Sequence, residues 1–534
     1  MTRAAAAAAV ALAALTGAVR AQQRGIDVQD YHFSVVLPDT GAVIRVSATI
    51  GFRREPGAGD TLALDLVGMT MDSVVNSVTV ESLRFAYDGR VLRVPIARAR
   101  EQSLIVTYHG VARDGLVART TARGRRSFFG DNWPNRARYW LATVDHPSDK
   151  ARVSWLIDAP PGWVVVANGR CAPVPRRPRS TSCVERAPIP TYTMVLGAAQ
   201  MTVSRHRPVI NARDTIPIEV WTYPEDSAFA DGVPFRRATE ILETLQRIVG
   251  PFAFEKLAHV ESSTRYLGME NSSAIFYAEQ SYVQRTMGED VVRHETAHQW
   301  FGDAVTPRDW PHLWLSEGFA SYFDLVAGAA LGGDSVLARG MRRDRETYLR
   351  SAVVGRPIVD SAETDPNRLL NANAYQKGAW VLHMLRGLVG DSAFFSGVRD
   401  YYAAYRDSAV ASEQFQRMME RAAGQPLARF FRQWLYQPGY PQLDARWEVD
   451  TAQRRVTLRV RQVQSEAWGR FRIARVPVHV VSRGAVIARP DFTLDPAQDE
   501  QIVSFVLDAL PDEVRVDPDE TLLLTATVRG PEPR

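Results

Sequence analysis

The chain changes its hydrophobic period twice. Over residues 27–203, apolar positions alternate with polar ones in short runs separated by glycine and proline, which predicts β-strands. Over residues 234–436, apolar positions recur at helical spacing. Strand-like alternation returns over residues 443–528. Strands, then helices, then strands, arranged in blocks, predict separate domains rather than one interleaved sheet.

The central block predicts four helices, at residues 235–249, 290–301, 317–330 and 374–389. The turn-forming segment 437–441, Gln-Pro-Gly-Tyr-Pro, marks a domain boundary. A chain of 534 residues also exceeds what one hydrophobic core usually organises. We therefore expect an N-terminal β domain at residues 22–203, a mostly helical domain at 204–440 and a C-terminal β domain at 441–534.

Composition and charge favour an ordinary globular protein. Hydrophobic residues make up 46% and charged residues 23%, and the formal net charge is +4. Arginine clusters occur at residues 123–126 and 176–179, without interleaved aromatic residues or a nucleic-acid motif. These clusters predict solvated loops, so no nucleic-acid partner is expected.

Residues 1–21 have the features of a secretory signal peptide: Arg3, a short alanine-rich apolar stretch, and small residues before Gln22. An alanine-rich tail is the alternative. The apolar run is too short to favour a membrane span, and no later stretch suits one, so no transmembrane segment is expected after signal cleavage. The prediction is an exported protein, periplasmic or secreted.

Two cysteines, Cys171 and Cys183, flank a segment rich in arginine, proline and serine. In an exported protein they can form a disulfide, and two unlinked thiols are the alternative. No histidine or further cysteine lies near them in the sequence, which argues against a metal site there.

The strongest chemical signal is His294-Glu295-Thr296-Ala297-His298. Residues four apart share a helix face, so His294 and His298 can point at one ion. The alternative is a surface helix with two unrelated histidines. Glu317 supplies a third ligand if Ser316 caps a second helix and that helix packs beside the first. Two histidines, one carboxylate and an open position are typical of a catalytic zinc site, with one Zn²⁺ per chain.

Glu295 extends the prediction from metal binding to hydrolysis. Metal coordination does not require a carboxylate between the two histidines. A carboxylate at that position can take a proton from an attacking water and pass it to a leaving amine. Glu295 is therefore the predicted general base.

Residues 294–323, HETAHQWFGDAVTPRDWPHLWLSEGFASYF, resemble the aminopeptidase N family of zinc peptidases, peptidase family M1. The resemblance implies a multidomain α+β fold with an N-terminal β domain, a thermolysin-like, mostly helical catalytic domain and a small C-terminal β-sandwich. It also implies a zinc aminopeptidase that acts on peptides with a free N-terminus. The chain looks like a short form without the large C-terminal helical domain of many relatives.

Further residues are assigned through the same resemblance. Gly268-Met269-Glu270-Asn271 resembles the family's exopeptidase motif, whose glutamate binds the substrate amine. Tyr375, in Tyr-Gln-Lys-Gly, resembles the tyrosine that stabilises the oxyanion. In the N-terminal region, Asp131 matches a second amine contact, and Asn132 is the alternative.

Two other functions remain open from the sequence. A thermolysin-type endopeptidase would share the zinc chemistry but would not need Glu270. A non-catalytic secreted zinc-binding protein would not need Glu295 or Tyr375. The sequence leaves the oligomeric state and the preferred N-terminal residue undetermined.

Overall fold

The computed structural model describes residues 25–211 and 214–531, so the predicted signal peptide lies outside the described residues. Three regions follow one another: β-sheets, a sheet covered by helices, and a second set of β-sheets. The predicted multidomain α+β fold is confirmed. No helix within the described residues has the length and apolar character needed to cross a bilayer.

From residue 25 onward, where the structure is described, the N-terminal region contains fourteen strands in three sheets. The sheets have the orders β12-β13-β10-β1-β2-β7-β4, β11-β14-β9-β8 and β3-β6-β5. The strands are β1 (Ile26–Val36), β2 (Val43–Arg54), β3 (Thr61–Asp65), β4 (Thr70–Asn76), β5 (Ala86–Tyr87), β6 (Val91–Pro95), β7 (Glu101–Val111), β8 (Leu116–Thr120), β9 (Arg126–Gly130), β10 (Lys150–Asp158), β11 (Val164–Ala167), β12 (Arg170–Pro173), β13 (Ser180–Pro190) and β14 (Leu196–Ala199).

The alternation that predicted these strands places one side of each strand in the core. In β1, Tyr31, Phe33 and Val35 are buried, and the Phe33 ring packs 5.1 Å from the Trp155 ring of β10, centre to centre. Cys171 of β12 lies opposite Cys183 of β13, and the two form a disulfide. The hairpin between them is therefore covalently closed.

Among the described residues, the central region has seven strands and ten α-helices. Five strands form a sheet of order β15-β16-β17-β19-β18. The strands are β15 (Thr202–Asn211), β16 (Asp214–Thr222), β17 (Leu257–Ser262), β18 (Gly268–Met269), β19 (Ala274–Ala278), β20 (Val305–Pro307) and β21 (Ser408–Val410). The helices are α1 (Ser227–Gly232), α2 (Ala238–Val249), α3 (Glu279–Val283), α4 (Glu289–His298), α5 (Trp314–Gly332), α6 (Ser335–Leu349), α7 (Gly378–Val389), α8 (Asp391–Tyr405), α9 (Ser412–Ala423) and α10 (Ala428–Phe431).

Helix α5 begins three residues earlier than the sequence predicted. The 3-10 turn Trp310–His312 leads directly into the helix, and the Leu313 carbonyl accepts a hydrogen bond from the Glu317 amide at 3.0 Å. Ser316 therefore lies inside the first turn and does not cap the helix. Glu317 is still in that first turn, as expected. The strand β15 spans the predicted 203/204 domain boundary and pairs with the central sheet.

Contacts from the N-terminal region fix the loops around the pocket. The Asn168 side chain donates to the Ser272 carbonyl at 2.7 Å, directly after the Gly268–Asn271 segment. The Lys150 ammonium donates to the Asp303 carbonyl at 2.7 Å, just beyond the end of α4. Both contacts join the N-terminal region to loops of the central region, one after β18 and one after α4.

The C-terminal region forms two small sheets, one of order β27-β23-β22-β29 and one in which β24 pairs with β25, β26 and β28. The strands are β22 (Gln442–Asp450), β23 (Arg455–Gln462), β24 (Ile473–Ser482), β25 (Ala485–Ala488), β26 (Asp491–Leu494), β27 (Gln501–Val506), β28 (Glu513–Val516) and β29 (Thr525–Arg529).

A buried carboxyl in β17 gives a pH-dependent prediction for stability. Burial, with the nearby Asp226 carboxylate adding to it, raises the pKa of Glu261 from 4.5 to about 9. Between these values the folded chain holds a proton that the unfolded chain releases, so this group lowers stability as pH rises. We expect Glu261→Gln, which stays neutral, to raise the Tm by at least about 2 °C at pH 8 and to leave it unchanged near pH 4, as measured by differential scanning calorimetry. An equal shift at both pH values would contradict the assignment.

Candidate active site

Two packed helices bring the three predicted metal ligands together. His294 and His298 lie on α4, and Glu317 lies in the first turn of α5. The two imidazole Nε2 atoms are 3.1 Å apart. Glu317 Oε2 lies 3.5 Å from Nε2 of His294 and 3.3 Å from Nε2 of His298. The predicted second helix does pack beside the first, and the three donor atoms converge on one point.

These distances fit donors arranged tetrahedrally around one cation. Donors about 2.0–2.1 Å from one ion at tetrahedral angles are about 3.3 Å apart, close to the three observed separations. Glu317 Oε2 is buried and has no hydrogen-bond partner among the described residues, as expected of a ligand atom. The donor set contains two imidazoles and one carboxylate, which suits zinc with an open position for substrate.

Neighbouring groups orient His298. Its Nδ1 lies 3.1 Å from the Phe301 carbonyl and 3.0 Å from the Ser316 hydroxyl. A proton on Nδ1 donates to that carbonyl, which leaves Nε2 free to bind a metal. Ser316 thus acts as an outer partner of a metal ligand rather than as a helix cap.

The carboxyl groups of the site differ in the pKa that their surroundings give them. Burial acts to raise the pKa of Glu317, but His298 and His294 overcome it and lower this pKa to about 2, so Glu317 is ionised. Burial raises the pKa of Glu295, and the two imidazoles oppose that shift. Burial raises the pKa of Glu270 to about 7. Glu317 is therefore suited to bind a cation, and the raised pKa of Glu295 favours its role as a group that accepts a proton and then returns it.

Glycine at position 268 makes room for Glu295. A Cβ built on Gly268 would lie 2.2 Å from a carboxylate oxygen of Glu295, so any larger residue would displace that side chain. Gly268 belongs to the edge strand β18, which runs beside α4. The Gly-Met-Glu-Asn segment therefore positions the predicted base and carries the predicted amine-binding residue.

Glu270 lies beside the metal ligands. Single ligand atoms of Glu270, Glu295 and His298 all fall within 4.8 Å of one another. Gln299, in the turn after α4, donates to the Glu270 carbonyl at 2.8 Å and so holds this residue against the end of α4. Glu270 is 5% exposed. A buried carboxylate in this position can bind a substrate ammonium group.

The two neighbours of Glu270 are placed differently. The Met269 side chain is buried among aromatic residues that include Trp133 and Trp310. Asn271 is fully buried, and its side-chain nitrogen and oxygen have no hydrogen-bond partner among the described residues. Within the described residues, Met269 thus packs in an aromatic cluster, Asn271 is buried without a side-chain partner, and neither residue lines the pocket.

Tyr375 lies across the site on a π-helical turn, Asn373–Lys377. Its ring stacks on the His294 ring with centres 6.1 Å apart. Burial, followed by the Glu317 carboxylate, raises the pKa of Tyr375 well above its ordinary value, so the phenol keeps its proton and can donate. A Cβ on Gly318 would lie 2.8 Å from the Gly378 Cα, and this close crossing brings the tyrosine turn against α5.

The structure does not bring Asp131 into the pocket. One carboxylate oxygen accepts from Arg136 at 2.6 Å and the other from Arg265 at 3.1 Å. The Asn132 side chain is likewise bonded, to Trp140 and the Met194 carbonyl. Neither residue lines the pocket.

A different residue of the N-terminal region lies beside Glu270. Burial, followed by the Glu270 carboxylate, raises the pKa of Tyr192 well above its ordinary value. The Tyr192 hydroxyl donates to the Gly302 carbonyl at 3.2 Å, which anchors it next to α4. Nothing in the local sequence of Tyr192 marks it as a site residue.

The pocket has a volume of about 370 Å³ and extends beyond the predicted residues. Ser321 and Asp324 line it, and both could have been found, since they follow Glu317 at helical spacing on α5. Arg343 and Asp344 come from α6 and depend on tertiary packing. The other lining residues are Tyr266, Leu267, Gly268, Glu270, Asp290, Val291, His294, Glu295, His298, Glu317, Tyr375 and Gln376.

Residues 233–434 match the model of the peptidase family M1 domain, which confirms the resemblance seen in the sequence. Two curated relatives are the leucyl aminopeptidase of Saccharolobus solfataricus, 26% identical over 75% of this chain and 52% of that protein, and the probable aminopeptidase 2 of Sulfurisphaera tokodaii, 28% identical over 57% of this chain and 40% of that protein. The chain thus spans about half or less of their length.

Two solved structures are also similar to this chain. The M1 zinc metallopeptidase from Deinococcus radiodurans has a TM-score of 0.66 at 25% identity, covering 80% of this chain and 97% of that one. Aminopeptidase A of Legionella pneumophila, in complex with aspartic acid, has a TM-score of 0.78 at 19% identity, covering 94% of this chain and 60% of that one. The second similarity concerns the fold alone.

Proposed function

We propose that this chain, whose residues 233–434 form a peptidase family M1 domain, is a zinc-dependent aminopeptidase that hydrolyses the N-terminal peptide bond of peptides. One observation carries the proposal: three converging metal donors share a pocket with a buried base and a second buried carboxylate. The two curated relatives are named as aminopeptidases, which supports the proposal. The Deinococcus enzyme supports it too, because its mutant was solved bound to a Tyr-Ser-Ala substrate.

The residues divide the reaction among them. His294, His298 and Glu317 would hold one Zn²⁺ per chain, which would supply Lewis-acid chemistry to the reaction. Glu270 binds the substrate ammonium and so aligns the first peptide bond with the base. Glu295 removes a proton from the attacking water and delivers it to the leaving amine.

Tyr375 completes the site as a hydrogen-bond donor to the oxyanion that forms from the carbonyl. We expect Tyr375→Phe to lower kcat by about 10²–10³-fold, because the phenol hydroxyl is the only group removed. Steady-state kinetics on an aminoacyl amide measure this. A change confined to KM would assign Tyr375 to ground-state binding instead.

The decisive test compares a fluorogenic aminoacyl amide with its N-acetylated form, each with and without a chelator. The proposal predicts chelator-sensitive cleavage of the free form alone. In Glu270→Gln, we expect kcat/KM for the free form to fall by at least about tenfold, because a charge-assisted contact to the ammonium is lost. An unchanged preference for the free amine in this variant would remove Glu270 from amine binding.

The same assay separates the alternatives. Cleavage of internal bonds in blocked peptides would indicate a thermolysin-type endopeptidase. Failure to cleave either form with zinc bound, across several side chains, would indicate a non-catalytic zinc-binding protein. The buried Glu270 beside the metal ligands favours the aminopeptidase, since an endopeptidase has no amine to bind.

Export is the proposal for the location, periplasmic or secreted, with residues 1–21 removed as a signal peptide. The Cys171–Cys183 disulfide supports it, because such bonds persist in oxidising compartments. N-terminal sequencing of the protein recovered from the periplasm or medium should begin at Gln22. Recovery from the cytoplasm with Met1 or Thr2 first would contradict this.

A further inference from the structure

A second cavity, of about 760 Å³, lies between the central region and the C-terminal sheets. We call it the interdomain cavity. Met384 and Leu388 of α7 line one side, with Phe430 and Trp434 close to the end of the helical region. Ile473 and Val478 of β24 line the other, together with Leu522. The cavity shares no lining residue with the zinc pocket.

The charge on the walls of the interdomain cavity is mostly positive. Four arginines line it, and the one carboxylate there, Asp491, is paired with Arg475 at 2.9 Å. Arg472 reaches Asp495 at 3.6 Å. The remaining two arginines are Arg429 and Arg489.

Within the described residues, neither Arg429 nor Arg489 has a carboxylate oxygen within 4.0 Å. Arg489 donates to His479 Nε2 at 2.8 Å, and Asp519 Oδ2 lies 3.8 Å from that same nitrogen, so this carboxylate reaches the imidazole but does not contact the guanidinium. Both arginines are exposed, so they lie at the open side of the cavity, where guanidinium groups without a direct carboxylate partner favour the anionic head of a ligand.

The uncharged polar groups of the walls indicate whether the rest of the ligand, apart from its anionic group, is polar or apolar. The Gln433 side chain donates to the Arg472 carbonyl at 3.1 Å and accepts from the Arg472 amide at 2.7 Å. The Thr521 hydroxyl donates to Asp517 at 2.8 Å. Gln425, which is exposed, is the one uncharged polar side chain of the lining without such a bond. A peptide backbone would find few partners here, whereas an acyl chain needs none.

We propose that the interdomain cavity binds a single-chain carboxylate amphiphile, a medium- or long-chain fatty acid. The acyl chain lies between α7 and β24, and the carboxylate contacts Arg429 and Arg489. The volume lies within the range of about 300–1,000 Å³ that is common for small-molecule sites. This binding does not depend on the proposed peptidase activity, and its test uses binding alone.

The charge is tested by calorimetric titration of the whole zinc-loaded chain with laurate below its micelle concentration, and with 1-dodecanol for comparison. We expect saturable binding of one laurate per chain. The double variant, with both Arg429→Gln and Arg489→Gln, should bind laurate at least about tenfold more weakly and bind dodecanol as the wild type does. The matched control is Arg446→Gln, an arginine of the same region that is 66% exposed and has only a 3.9 Å contact to Asp444. It should bind laurate like the wild type.

The location is tested by filling the cavity. Gly387 lines it from α7, and a Cβ added there meets no atom within 4 Å, so Gly387→Trp is compatible with the fold. We expect this variant to lose binding of both laurate and dodecanol. Undiminished laurate binding in Gly387→Trp would overturn the location, and equal affinity for dodecanol and laurate would overturn the role of the arginines. Absence of saturable laurate binding, or displacement of laurate by an apolar peptide at lower concentration, would overturn the ligand class.

Discussion

Glu295→Gln is expected to lower kcat by about 10²–10⁴-fold while the chain keeps its zinc. Glutamine has the same shape as glutamate but cannot accept the proton of the attacking water. The three proposed metal donors are His294, His298 and Glu317, so this substitution leaves that ligand set intact. The side chain packs against the Cα of Gly268, which holds the glutamine in the place of the glutamate. The measurements are kcat on a free aminoacyl amide and zinc content by atomic absorption.

Glu240→Gln provides the matched control. Glu240 is exposed on α2, a helix that packs against α4, so this variant loses one carboxylate from the same domain without touching the pocket. It should keep wild-type kcat and zinc content. If Glu295→Gln keeps more than a tenth of wild-type kcat with zinc bound, the proton is transferred by another group, and the role given to Glu295 is wrong.

The order of strand and helix blocks could be predicted because it depends on periodicity alone. Alternation in β1 buries Tyr31, Phe33 and Val35, and the helical spacing after residue 234 corresponds to α2 and the helices that follow. The start of α5 could not be predicted in the same way. Ser316 has the sequence features of a cap, but the preceding 3-10 turn supplies the Leu313 carbonyl, so the helix begins earlier.

The site residues likewise fall into those that local spacing predicts and those that depend on tertiary packing. His294, Glu295 and His298 are close in the chain, and their geometry follows from one helix. Glu270 and Tyr375 were assigned by resemblance, and the structure places both beside those three residues. These positions could not come from spacing, because β18 and the π-helical turn reach the site only through tertiary packing.

Two residues show what local sequence cannot supply. Asp131 has a charge suited to an amine, but Arg136 and Arg265 occupy both of its oxygens. Tyr192 has no motif, yet it lies next to Glu270 since the N-terminal region packs on the loop after α4. Which of two polar residues reaches a site is decided by its other partners, and those come from distant parts of the chain.

Substitution of a proposed metal ligand gives the second large expected effect. Glu317→Gln is expected to weaken zinc binding by more than the roughly 10–100-fold that loss of an outer partner costs, and activity should fall with the zinc lost. The substitution removes the negative charge that faces both imidazoles, 3.3 and 3.5 Å away, and replaces a strong donor by a weak amide. Zinc affinity is measured by titration against a fluorescent chelator, which gives a result that does not depend on turnover.

Ser316→Ala is the comparison variant, since Ser316 contacts His298 Nδ1 but is not a ligand. The Phe301 carbonyl still accepts from that nitrogen, so the imidazole keeps its orientation and zinc binding should weaken by no more than about tenfold. The order of the two effects tests the ligand set directly. If Ser316→Ala loses as much zinc affinity as Glu317→Gln, the Glu317 carboxylate acts only by orienting an imidazole. The third ligand must then be sought at Glu270, whose carboxylate lies near His298 and Glu295.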